Sequence, residues 1–263
     1  MRIGIITGSG TYALPGLEHL DERPVATTFG AALVTHGRLG DVEILHVSRH
    51  GPGHHRVSHQ VEHRANIAAL RDSGADAILA VTVCGGVDPT LELGQLIVFD
   101  DLHFLANRLP NGELCTLHTE PGAPGRGHWV FEGPFSEHLR GALLAAADGL
   151  GHAVRDGGCY GHVDGPRFNT RSEIAMLAGA GVTAVSQTAG PETVLAGETG
   201  VPYALLGFVT DYANGVRESA TPVATLVGLI RESTDRFAST LTAALPLLDR
   251  DALAPIGTSL SWE

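Results

Sequence analysis

Runs of apolar and β-branched residues recur along the chain at Arg2 to Thr7, Val42 to Ser48, Ala77 to Val83, Gln95 to Asp100, Thr183 to Ser186 and Tyr203 to Val209. Several are apolar at almost every position rather than at alternate ones, the pattern of sheet strands covered on both faces. Between them the spacing predicts helices over His59 to Ser73, Ser136 to Leu150, Thr170 to Ala180, Pro191 to Gly200 and Pro222 to Leu247. Ser58, Asn169 and Thr221 are available as caps near three of the starts. Alternation of strand and helix predicts an α/β fold, a twisted, mostly parallel or mixed central sheet flanked by helices. Asn107 to Gly127 is rich in Gly, Pro, Thr and Glu and has no period, so it reads as one long loop of the sort that forms lids or subunit contacts.

Composition narrows the picture. A chain of 263 residues with 43% hydrophobic content is enough for one core, so a single domain over residues 1–263 is expected. The net charge of −12 and the lack of any basic block leave no electrostatic footprint for nucleic acid. Apolar runs such as Ala77 to Val83 are too short to cross a bilayer, and the N-terminus leads straight into a strand-like stretch, so a cytoplasmic protein without a membrane partner is expected. Cys84, Cys115 and Cys159 lack CxxC spacing and suit reduced thiols better than a disulfide framework or a zinc knuckle.

Candidate chemistry gathers at the strand ends. The first strand runs into Gly8-Ser9-Gly10, where glycines let backbone N–H groups and a hydroxyl approach an anion; an ordinary tight strand exit is the alternative. This is neither a dinucleotide fingerprint nor a lysine-bearing phosphate loop. After the second strand, Ser48-Arg49-His50-Gly51-Pro52-Gly53-His54 presents a guanidinium suited to bidentate phosphate binding, among five histidines between His50 and His63. The third strand ends in Thr82-Val83-Cys84-Gly85-Gly86, at the carboxyl edge where open α/β sheets bind ligands. Two further stretches, Gly165 to Glu173 and Ser186 to Glu192, put polar groups just before helix starts.

One motif points elsewhere. His59-Gln60-Val61-Glu62-His63 matches HxxEH, in which two histidines four apart on a helix bind zinc beside a glutamate. A zinc metallopeptidase would need a third ligand, for which Glu173 and Glu192 are the candidates.

Taken jointly and in order, GIITGSG, RHGPGH followed by HRANIAAL, TVCGG, DGPRFNTRSE, PETVLAGE and Thr210-Asp211-Tyr212 resemble the methylthioadenosine phosphorylase branch of the purine nucleoside phosphorylase family, over about residues 2 to 213. The resemblance implies a homotrimer, or a dimer of trimers, of α/β subunits that use no metal or other cofactor and take inorganic phosphate as co-substrate. It carries phosphate binding onto Ser9, Arg49, His50, Thr82 and Thr188. It carries nucleoside binding onto Val83, Cys84, Gly85, Phe168, Gln187, Asp211 and Ala213, and the 5′ end of a neighbouring subunit's ribose onto His128. Asp211 falls on the family's catalytic acid, which hydrogen-bonds or protonates N7 of the departing purine; a turn-capping aspartate is the plain alternative.

The departures bear on substrate. A second aspartate two positions after the first is Ala213 here, a methionine at the ribose is Gln187, and the stretch after the fourth strand reads Asp100-Asp101-Leu102-His103-Phe104-Leu105-Ala106. Asp211 favours a 6-amino purine, whereas Ala213 removes an acceptor from that side. Phosphorolysis of methylthioadenosine or another 5′-modified adenosine is the leading expectation, with 6-oxopurine nucleosides second. The alternatives are a hydrolytic nucleosidase, the zinc peptidase and a nucleoside-binding protein without turnover.

Overall fold

The computed structural model describes all residues except Pro124 and Glu263. Its strands are β1 (Arg2–Thr7), β2 (Glu18–Thr27), β3 (Gly30–Leu39), β4 (Val42–Ser48), β5 (Ala77–Gly86), β6 (Leu96–Val98), β7 (Asp101–His103), β8 (Gly127–Phe131), β9 (Val154–Asp156), β10 (Cys159–His162), β11 (Val182–Ser186), β12 (Tyr203–Tyr212) and β13 (Gly257–Ser261). The helices are α1 (His63–Asp72), α2 (Glu137–Gly149), α3 (Arg171–Gly179), α4 (Ala189–Glu198) and α5 (Val223–Ala244).

Eleven strands form one mixed sheet along β2-β3-β4-β1-β5-β11-β10-β7, with β12 on β5 and then β6 and β9. Pairings β1–β4, β1–β5 and β5–β12 are parallel, and these three central contacts carry the most apolar strands. Two buried clusters cover the sheet's faces. One unites Ile67 and Leu70 of α1 with Leu195 of α4, and the other unites Leu139 and Leu143 of α2 with Phe237 and Leu241 of α5. Burying such side chains is worth roughly 1.5–3 kcal/mol each, so the fully apolar strands are where the fold is anchored.

The hairpin β2–β3, which no apolar run marks in the sequence, closes one edge of the sheet. Strand β2 carries Pro24, Glu18, Asp21, Glu22 and Arg23, and an edge strand tolerates both the missing N–H of proline and a solvated polar face. A separate two-stranded sheet pairs β8 with β13.

Helix starts differ from the expected ones for local reasons. The segment from His59 is not helical until His63, because Val61 is extended (ψ 128°) after a short 3-10 turn at Ser58–Gln60. Thr170 rather than Asn169 caps α3, in a reciprocal box with Glu173, and Pro222 rather than Thr221 precedes α5. The Thr221 hydroxyl instead accepts from the Tyr212 amide at 3.1 Å. Helix α4 starts two residues earlier than expected, which makes Thr188 its cap residue and keeps Glu192 in its first turn. Among its described residues the expected loop over Asn107 to Gly127 has no helix; Arg64 pins it through the Thr116 and Leu114 carbonyls and the Glu113 carboxylate. Pro124 of that loop lies outside the described residues.

Candidate functional site

At the carboxyl edge of β1, β5 and β12 a cavity of about 290 Å³ opens. Ser9, Arg49, His50, Thr82 and Thr188 line it, and so do Val83, Cys84, Gly85, Phe168, Gln187, Asp211 and Ala213. Residues more than 200 positions apart in the sequence thus meet in one space. His128 does not belong to it; it stands exposed on β8.

One end is built for an anion. Arg49 leaves β4 with its side chain 1% exposed and forks onto Glu192 of α4, Nε to Oε1 at 2.6 Å and Nη2 to Oε2 at 2.8 Å. Nη1 donates to the Val81 carbonyl at 2.8 Å. A guanidinium has five N–H donors, so three are spent within the protein and two remain for the cavity. Glu192 is fully buried and also accepts from the Tyr203 hydroxyl at 3.2 Å. Gly8 is required here, since a Cβ at that position would overlap Arg49 Nη1.

The neighbouring groups are fixed in the same way. His50 Nδ1 donates to the Arg56 carbonyl at 2.8 Å, and the ring stacks on His54 at 4.2 Å between centroids. Burial, reinforced by the Arg49 charge, lowers the His50 pKa to about 3, so the ring is neutral at neutral pH and its Nε2 is an acceptor. Thr82 Oγ1 and Ser186 Oγ share a hydrogen bond at 2.9 Å. Tyr160 accepts from the first amides of α4, Thr188 N at 3.4 Å and Ala189 N at 3.1 Å, and its ring is wholly buried.

The other end carries the acid. Strand β12 slips register between Val209, opposite Cys84, and Asp211, opposite Gly85. The extra residue makes a bulge that turns Asp211 toward the cavity, so Asp211 stands inside the strand and not in the turn after it. Burial raises its pKa, opposed by a hydrogen bond from Thr210 Oγ1 at 3.0 Å. A carboxyl pushed upward in this way is suited to donate or share a proton. Phe168, 61% exposed, and Asn169 and Asn214 complete this end.

Several lining residues escape sequence reasoning. Leu226 and Ile230, four apart on α5, and Val57 add an apolar flank; their i,i+4 spacing was the available signal. Ser58, expected as a helix cap, instead donates to Gln187 Oε1 at 2.8 Å. The sequence offers Glu192 as a candidate metal ligand, and its role as partner of Arg49 is invisible without the fold.

The HxxEH reading is corrected by the same geometry. His59 and Glu62 are exposed and lie before the helix, while His63 is buried 3.8 Å from Glu192 and faces the Arg49 pair. Glu173 is engaged by Arg167 and the Thr170 cap. Among the described residues no three His, Cys, Asp or Glu side chains gather as a metal would require.

The sequence signature described as the phosphorylase superfamily matches residues 2–246, nearly the whole length that builds this sheet and cavity. The chain belongs to the phosphorylase superfamily. Among phosphorylase relatives, the 6-oxopurine nucleoside phosphorylase of Pyrococcus furiosus is 32% identical over 95% of this chain and 94% of its own length. The S-methyl-5′-thioadenosine phosphorylase of Danio rerio is 32% identical over 94% of this chain and 88% of its own. A probable S-methyl-5′-thioinosine phosphorylase of Xanthomonas campestris is 35% identical over 82% of this chain and 85% of its own. A solved methylthioadenosine phosphorylase of Schistosoma mansoni in complex with adenine superposes with a TM-score of 0.85 at 29% identity, covering 94% of this chain and 91% of that one. The mixed α/β architecture expected from the sequence is therefore the phosphorylase architecture.

Proposed function

We infer that the protein cleaves purine nucleosides by phosphorolysis, with 5′-methylthioadenosine or another 5′-modified adenosine as the preferred class. The observation that carries this is one cavity of about 290 Å³ lined both by the Arg49 group and by Asp211. A phosphate dianion at Arg49, Ser9, Thr82 and Thr188 attacks C1′ as the C1′–N9 bond breaks and its electron pair passes into the purine ring. Asp211 meets the charge that develops there by giving or sharing a proton at N7, while the phosphate stabilises the positive sugar. The neutral His50 accepts from the one protonated oxygen of hydrogen phosphate, a match that a second cation would not offer.

The apolar flank of Val57, Leu226 and Ile230 favours a thioether over a hydroxyl at the 5′ position. Names of relatives and the loss of a second carboxylate at Ala213 support a second reading, 6-oxopurine nucleosides. A trimer with His128 supplied to the neighbour's site is consistent with its exposed position beside Val130, Phe131, Leu260 and Trp262, which are 40–57% exposed. Two of the three thiols, at Cys84 and Cys115, are buried and unbridged, which suits a reducing cytoplasm, and no helix among the described residues is long and apolar enough to cross a membrane.

The test is purine release from methylthioadenosine, adenosine and inosine with and without phosphate, with the sugar product identified by mass. Release that needs phosphate and yields a sugar 1-phosphate supports the reading. Equal release in its absence replaces it with a hydrolase.

A further inference from the structure

We propose that Gln187 and Ser58 act together as a reader of the sugar's 2′- and 3′-hydroxyls, so that the protein selects ribonucleosides over deoxyribonucleosides. The proposal rests on the phosphorolytic reading above and adds to it a specificity determinant.

Both side chains line the cavity, and they are joined to each other. Ser58 Oγ donates to Gln187 Oε1 at 2.8 Å, and Gln187 Nε2 donates to the Arg167 carbonyl at 3.0 Å. The amide is therefore held from both ends, which fixes its orientation before any ligand arrives. Gly165 makes the arrangement possible, because a Cβ there would overlap Gln187 Oε1 and Ser58 Oγ at once.

The donor and acceptor inventory that remains is the one a diol needs. Gln187 keeps one N–H and one lone pair of Oε1, and Ser58 Oγ keeps both lone pairs. Each ribose hydroxyl donates one hydrogen and accepts others, so one hydroxyl gives to Ser58 Oγ or Gln187 Oε1 while the other receives from Gln187 Nε2. A deoxy sugar leaves part of this fixed set unpaired.

Position follows from stereochemistry. In a β-nucleoside the base stands on one face of the sugar, and the 2′- and 3′-hydroxyls stand on the other, the face from which phosphate must attack C1′. A hydroxyl reader must then adjoin the anion end. Gln187 does so: Ser186 before it shares a hydrogen bond with Thr82, and Thr188 after it lines the anion end.

The experiment compares kcat/KM in phosphate for adenosine or inosine, whichever turns over, with the 2′-deoxy and 3′-deoxy counterparts, in the wild type, Gln187→Met and Ser58→Ala. Each hydrogen bond to a neutral hydroxyl is worth roughly three- to tenfold, so the wild type should prefer the ribonucleoside by about tenfold or more. Gln187→Met should bring the ratio toward one chiefly by slowing the ribonucleoside, and Ser58→Ala should lower it part of the way. A ratio unchanged in both variants, or an equal fall on all substrates, overturns the proposal, because loss of packing alone moves every substrate together. Phosphate-dependent release by the wild type without any preference overturns the hydroxyl reader and leaves phosphorolysis standing. No phosphate-dependent release from any nucleoside overturns both.

Discussion

The two ends of the cavity are held to very different degrees. At the anion end almost every polar group is tied to the protein before a ligand binds: Arg49 to Glu192 and Val81, His50 to Arg56, Thr82 to Ser186, and the start of α4 to Tyr160. At the base end, among the described residues, Asp211 has one side-chain partner in Thr210 and Asn214 donates to the Asn169 carbonyl, and Phe168 is mostly exposed. The contrast suits the two tasks. A dianion and a developing sugar cation need dipoles that do not reorganise during reaction, whereas discrimination among bases is tuned by contacts that can be exchanged cheaply.

If the rigid end depends on buried neutral rings, acid should break it first. The pKa values of His50 and His63 are lowered to about 3, that of His162 to about 3 and that of His46 to about 4, in each case first by burial. A depressed folded pKa means that the unfolded chain binds protons that the folded chain refuses. The stabilising contribution is complete above the unfolded value near 6.5 and is lost as pH falls from there toward about 3–4. Each histidine contributes about 1.4 kcal/mol per pH unit in that window, so the four together approach about 5 kcal/mol per unit. Urea unfolding at pH 7.5, 6.5, 5.5 and 5.0 should show a steep fall in stability below pH 6.5. A flat profile down to pH 5 would mean that these rings are not the acid-sensitive element.

The next largest effect should come from Glu192→Gln. The amide keeps the shape of the carboxylate but presents N–H toward a guanidinium, leaving a buried charge without its counter-ion, a loss of roughly 3–5 kcal/mol. Chemical denaturation should register that loss, and the KM for phosphate should rise because Arg49 is no longer aimed. A variant with wild-type stability and wild-type phosphate KM would show that the fork does not hold Arg49.

Asp211→Asn sharpens the comparison from the other end, because activity and stability should move in opposite directions. Loss of the acid is expected to reduce kcat/KM on an adenine nucleoside by about a hundredfold or more. Burial raises the Asp211 pKa, so its stability contribution is complete below the unfolded carboxyl value and is lost as pH rises through the folded value, and at pH 7 keeping a carboxyl at this buried position is a cost. Removing it should make the protein slightly more stable at pH 7. A parallel loss of activity and melting temperature would assign Asp211 a structural role instead.

How much of this was legible in the sequence follows the same division. The central strands were readable because burial on both faces writes a continuous apolar run, as in Ala77 to Val83. The β2–β3 hairpin was not, because an edge strand with a solvated face carries Pro24 and charges without penalty. Arg49 announces a guanidinium, but Glu192 lies 143 positions away and nothing local marks it as the partner. The apolar run ends at Val209 and leaves Asp211 beyond it, since a bulge between Val209 and Asp211 depends on pairing with β5 and not on local composition. Ser58 shows the limit of local rules: a serine before a helix has the chemistry of a cap, yet its hydroxyl is taken by Gln187 across the fold.

The smallest of these effects should appear at Phe168. A phenyl ring 61% exposed in the chain yet lining the cavity has little to lose in the folded protein without ligand, and what it gains on binding is the face of a base. Stacking of a base on an aromatic ring is worth roughly 1–3 kcal/mol by alanine substitution. Phe168→Ala should therefore raise the KM for nucleoside between about fivefold and a hundredfold, with the larger part of the change in KM, and leave the melting temperature within about 1 °C. The KM for phosphate should hardly move, because the phenyl ring carries no charge and no hydrogen-bond donor for an anion. An equal rise in both KM values would mean that the two ends are mechanically coupled, and the division between a rigid anion end and a loosely held base end would then have to be abandoned.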